Sequence, residues 1–101
     1  MKKKDEQIER ISDMEQYLQR AEKTLKRLEE EARQATITAH EAQALNHLLE
    51  ALTNYLTSPQ WREDFEADEA GQLPADLPRG VLSEDGIWNV LERARQLGRR
   101  N

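Results

Sequence analysis

The apolar residues of the first half repeat in an unbroken 3-4 alternation: Ile11, Met14, Leu18, Ala21, Leu25, Leu28, Ala32, Ala35, Ala39 and Ala42. That spacing returns every side chain to one face of an α-helix, whereas a strand has a period of two. The residues off the stripe are mostly Glu, Gln, Lys and Arg. A helix patterned in this way is stable only when its stripe is hidden against another helix. Charged residues make up 35% of the 101-residue chain, and AVILMFWYC residues 37%. That is too little apolar material for a large spherical core, but enough to line one side of several helices. The expectation is a single domain, elongated and all-α.

Between Ala32 and Ala42 the stripe thins to alanine, and Thr36-Ile37-Thr38 interrupts the strong helix formers. Thr38 followed three residues later by Glu41 is a capping-box pattern, which starts a fresh helix at Ala39. This predicts a turn near residues 35–38 and an antiparallel hairpin of helices 5–34 and 39–57. The competing reading is one continuous helix of roughly 50 residues, about 75 Å at 1.5 Å per residue. Beyond Ala42 the stripe widens to Leu45, Leu48, Leu49, Leu52, Tyr55 and Leu56, a face broad enough to meet two neighbours. The C-terminal third is expected to dock there.

That third begins with Ser58-Pro59, an N-cap followed by proline at the first helical position. A short helix over 59–70 should place Trp61 and Phe65 together at i, i+4, with Arg62 and Glu66 paired on another face and Gly71 ending it. Leu73-Pro74 and Leu77-Pro78 force extended backbone before each proline, so 71–82 reads as an irregular strap. Gly80 is expected to supply a positive-φ turn. Ser83 then caps a final helix over 84–97, with Glu84 and Asp85 in its first turn and Gly86 at a tolerant position. Ile87, Val90, Leu91 and Ala94 should form its buried face, with Trp88 beside them.

From Leu52 onward the chain resembles a known family. Tyr55, Ser58, Trp61, the run from Asp64 to Gly71, Leu73-Pro74 and above all the run from Arg79 to Ile87 are similar to the bacterial domain of unknown function 4298. Gln7-Ile8-Glu9-Arg10-Ile11 followed by Met14-Glu15 is similar too. Leu56 and Trp88 stand where members commonly carry tyrosine; both keep a large apolar group, so the fold is not affected, but a role needing a phenol at either position is disfavoured. The resemblance implies the architecture and a bacterial or phage setting, and it implies no catalytic residue.

The net charge of −5 is unevenly placed: residues 58–78 carry Arg62 against Glu63, Asp64, Glu66, Asp68, Glu69 and Asp76. Such a surface repels phosphate, which disfavours nucleic acid as a partner. With no cysteine there is neither a disulfide nor a thiolate metal site. The basic N-terminus is not followed by an apolar run, and no stretch approaches the ~20 apolar residues of a membrane span. A cytoplasmic location without membrane attachment is expected, and no cofactor.

Asp64, Glu66 and Asp68 alternate like the start of an EF-hand loop, but Glu69 stands where glycine is needed and Ala75 where the bidentate glutamate is needed. A looser divalent or catalytic site on Asp64, Asp68, Glu69 and Arg79 is the enzyme alternative. His40 and His47 lie about 10 Å apart along a helix, too far to share a metal ion unaided. The most distinctive local chemistry is Arg79-Gly80 beside Asp76, Glu84 and Asp85. It reads as either an ion-paired latch from the strap to the last helix or a recognition loop. Trp61 is the candidate anchor for a protein partner. The Ile11–Leu28 stripe also outruns the helices available to cover it, which points to pairing with a second copy through the first helix. The function expected is therefore a non-catalytic interaction or adaptor module.

Overall fold

A computed structural model describes residues 2–31 and 38–100. Among these residues four α-helices follow in order, α1 Lys2–Glu31, α2 Ala39–Leu56, α3 Pro59–Glu69 and α4 Glu84–Arg100, with a single 3₁₀ turn at Gly80–Leu82. Among the described residues there is no strand. The fold is all-α, and its extents of 49 × 23 × 20 Å reflect the ~45 Å that a 30-residue helix spans.

α1 and α2 are separate helices that pack against each other. Thr38 caps α2 through the full capping box: its hydroxyl accepts from the Glu41 amide, and the Glu41 carboxylate accepts from the Thr38 N–H. The turn expected at 35–38 lies, apart from Thr38, outside the described residues. The pair is antiparallel, since Arg27 near the end of α1 approaches Glu41 at the start of α2. At the other end Arg10 of α1 and Tyr55 of α2 meet on Asp64. α4 runs parallel to α1, because Gly80 lies over Glu15 and Leu18 while Arg93 bonds Glu29.

The stripe of α1 is covered within the chain. Ile11, Ala21, Leu25 and Leu28 are fully buried and Leu18 nearly so, in one core with Leu45, Leu49 and Leu52 of α2 and Ile87, Val90 and Leu97 of α4. Each large side chain buried in this way contributes about 1.5–3 kcal/mol of transfer free energy. The neighbours that helix count alone does not supply come from the strap: Leu73, Leu77, Val81 and Leu82 are all buried and complete the cover. The surface on which helix pairing was expected is therefore interior.

α3 ends as the sequence suggested, with the boundary one residue earlier. Ala70 is the cap, and Gly71 follows at φ 70°, the conformation glycine adopts without a Cβ penalty. Gly71 N–H donates to Asp68 O and Gln72 N–H to Ala67 O, the two reversed bonds of a Schellman motif. The strap then departs from the irregular course expected, tightening into the 3₁₀ turn at Gly80–Leu82. Ser83 is the N-cap expected for α4: its hydroxyl accepts from Gly86 N–H and donates to Gly80 O.

Candidate functional site

Arg79 lies at the base of the strap, and its guanidinium closes a loop. Nη1 donates to Asp68 Oδ1 at 2.5 Å, Nη2 to Pro74 O at 2.6 Å and Nε to Leu77 O at 3.2 Å. The acid that holds it is thus Asp68, in the last turn of α3. Among the described residues neither Asp76 nor Asp85 pairs with Arg79, and both are exposed; the side chain of Glu84 lies outside the described set. The latch expected between strap and last helix instead joins strap to α3. The physical reason is the Schellman turn, which folds the strap back over the end of α3.

Gly80 is not a positive-φ position; among the described residues that conformation belongs to Gly71 alone. Gly80 instead sits where space is tight. A Cβ there would stand 3.1 Å from both Glu15 carboxylate oxygens and 3.3 Å from Leu18 Cδ2. The same Glu15 accepts a bond from Val81 N–H at 3.1 Å, while Val81 O accepts from the Trp61 indole N–H at 2.8 Å. The two backbone polar groups of Val81 are therefore held from α1 on one side and from α3 on the other. Trp61 also stacks on Phe65, with ring centroids 5.1 Å apart, as their spacing predicts. Its polar edge is committed inward, and the side chain is half-buried. The exposed tryptophan is Trp88, expected beside the buried face of α4 and found 59% exposed.

A second polar centre lies midway along α3 at Asp64, one of the acids of the divalent alternative. Asp64 is fully buried. Its Oδ1 accepts from Gln7 Nε2 at 2.9 Å and Arg10 Nη2 at 2.6 Å; its Oδ2 accepts from Arg10 Nε at 3.0 Å and the Tyr55 hydroxyl at 2.6 Å. The bond from Asp64 raises the affinity of Arg10 for its proton against the opposing effect of burial. Burial first, and then the bond to Asp64, push the Tyr55 phenol far above its ordinary range. One signal of this knot was present in the sequence. Asp64 falls midway between Trp61 and Ala67 at i, i+3 spacing, so an acid interrupts the inward stripe of α3. An acid at such a position needs a cation, and Gln7 and Arg10 form an i, i+3 pair on α1.

Together these contacts join Arg79, Gly80 and Trp61 to Asp68 and Glu15, and they join Asp64 to Arg10 and Tyr55. The acids of the divalent or catalytic alternative are dispersed: Asp64 serves Arg10, Asp68 serves Arg79, and Glu69 faces solvent. Among the described residues no three His, Asp or Glu side chains converge on a point that could hold a metal ion. His40 and His47 are both exposed. Among the described residues no ion pair joins Arg62 and Glu66, and both are exposed on α3.

Arg79→Ala removes one charge-assisted bond and two bonds to carbonyls from a half-exposed position. Partial solvent screening limits the loss to about 1–2 kcal/mol. Thermal unfolding followed by circular dichroism should show Tm lower by about 5–10 °C. An unchanged Tm would mean that the three bonds contribute nothing to the fold.

Among the described residues no helix is long and apolar enough to cross a membrane. No curated protein and no solved structure matches the chain. A family model described as Domain of unknown function (DUF4298) matches residues 11–101, which include the Glu15–Val81 clamp, Asp64, Arg79 and the whole of α4. The chain therefore belongs to the DUF4298 family.

Proposed function

We propose that this protein is a small, non-catalytic interaction or adaptor module of the bacterial or phage cytoplasm, docking a protein partner on the outer face of α4. The observation that carries this reading is Trp88. Among the described residues it is the one exposed large hydrophobic side chain, and every other one described is buried or half-buried. Half-buried Leu91 follows it at i+3 and Arg95 at i+7, so tryptophan, leucine and arginine lie along one side of α4. Tryptophan and arginine are the residue types that most often carry binding energy at protein interfaces. The polar groups of the C-terminal third support the same reading, since Asp64, Asp68, Arg79 and the Trp61 indole are each bonded within the fold.

Trp88→Ser tests it. Because Trp88 is exposed, the substitution should change stability by no more than about 0.5 kcal/mol. Affinity capture from a bacterial extract with wild type and Trp88→Ser, at matched Tm, should lose a specific partner in the variant. Identical captured sets would remove α4 as the docking face.

A further inference from the structure

The cover over the α1–α2 pair is one-sided. Glu15 and Glu29, on one flank of α1, meet the 80–82 turn and α4. Arg20, Lys23 and Arg27 lie on the opposite flank, where together with Ala44, His47 and Leu48 of α2 they line an open groove of 560 Å³. No acid lines it, although the chain as a whole carries −5. Arg10, Arg79 and Arg93 each have a carboxylate within 2.8 Å. Arg20 and Lys23 have no ion pair among the described residues, and Arg27 reaches Glu31 and Glu41 only at 3.8 Å. Between these cations the floor is apolar: Leu48 is half-buried and packs against the core from this side.

We infer that this groove binds an acidic amphipathic α-helix of a partner protein. A groove between two antiparallel helices has the shape that accepts a third helix lying along it. Arg20 to Arg27 spans about 10 Å of helix axis, so roughly two turns of the partner would be held. Its apolar residues would rest on Ala44 and Leu48, and acids flanking that stripe would neutralise Arg20 and Lys23. Charge complementarity selects the occupant. A second copy in symmetric register would set this basic groove against itself, which is repulsive. Nucleic acid and anionic bilayers would also be repelled by the net charge of −5 on the whole chain. The groove lies on helices other than the one carrying Trp88, so it stands independently of that face.

The test is selection from a display library of amphipathic helical peptides, on wild type and on Arg20→Glu/Lys23→Glu. Both positions are exposed, so the double variant should keep its far-ultraviolet spectrum and Tm, with Trp88→Ser as a control that leaves the groove intact. Wild type should enrich helices with Asp or Glu flanking an apolar stripe, and the double variant should enrich Lys or Arg at the same places. A fluorescein-labelled peptide selected on wild type should bind the double variant at least about tenfold more weakly, and bind Trp88→Ser unchanged. Failure of wild type to enrich acidic helices would overturn the inference, as would equal binding to the double variant. It would also be overturned if short single-stranded DNA or phosphatidylserine–phosphatidylcholine vesicles bound wild type and lost that binding in the double variant.

Discussion

Replacing Asp64 with alanine is expected to lower unfolding stability by about 3–4 kcal/mol, a large share of the ~5–15 kcal/mol typical of a domain. The substitution leaves a guanidinium, a phenol and an amide that were all directed at one carboxylate. Arg10 is part-exposed and can turn toward water, which keeps the loss below the top of the range for broken buried pairs. The Tyr55 hydroxyl has no such escape, because Tyr55 is 95% covered. Urea unfolding followed by circular dichroism measures the loss. Asp64→Asn, which keeps the shape but not the charge, should fall between wild type and Asp64→Ala. A loss below 1 kcal/mol would mean that α1 and α3 are held by apolar contacts alone.

The same knot has a pH signature. The folded chain holds the Tyr55 proton more tightly than the unfolded chain does, because burial and Asp64 both oppose the phenolate. That contribution is fully present below pH ~10 and is lost as pH rises above it, by about 1.4 kcal/mol per pH unit. Tyr55→Phe cannot show this loss. The stability difference between wild type and Tyr55→Phe should therefore shrink from pH 9 to pH 11, whereas parallel curves would place the phenol outside the knot.

Gly86→Ala should be as damaging as the loss of Asp64, for a different reason. A Cβ at residue 86 would stand 2.1 Å from the Gly80 carbonyl oxygen, far inside any real contact. That oxygen is backbone, held in place by bonds from Ser83 N–H and the Ser83 hydroxyl. To admit the methyl, the start of α4 must move away from the 80–82 turn and break the Ser83 cap. The expected cost is about 3 kcal/mol or more, at the upper end of overpacking effects. Gly98→Ala is the internal comparison. Nothing lies within 4 Å of a Cβ at that helical position, so the substitution should stabilise by about 0.5–1 kcal/mol. Thermal unfolding of the two variants should move Tm in opposite directions.

Gly86 also shows where reading the chain in order reached its limit. As a residue in the first turn of a helix it looks tolerant, and by the local rules it is. Its intolerance comes from a carbonyl six residues earlier that the 3₁₀ turn brings over it. Gly80 looked like a turn glycine and proved to be a spacer against Glu15, 65 positions away. Spacing alone did not say which of Trp61 and Trp88 stands in solvent. One is held by Val81 O and the other stands in solvent.

The helices, the Thr38, Ser58 and Ser83 caps, the Gly71 stop and the Trp61–Phe65 stack were all legible in the chain. Each depends on residues within four or five positions of one another, and such short-range preferences are written directly in spacing and side-chain type. The partners of Asp64, Arg79, Glu15 and Gly86 were not legible in that way. Every charged residue can pair with many opposite charges, and which one it meets depends on how helices far apart in sequence are laid together. The 3-4 stripe made α1 a helix that had to be covered; the packing of α2, α4 and the strap determined that it is covered from within and on one side only.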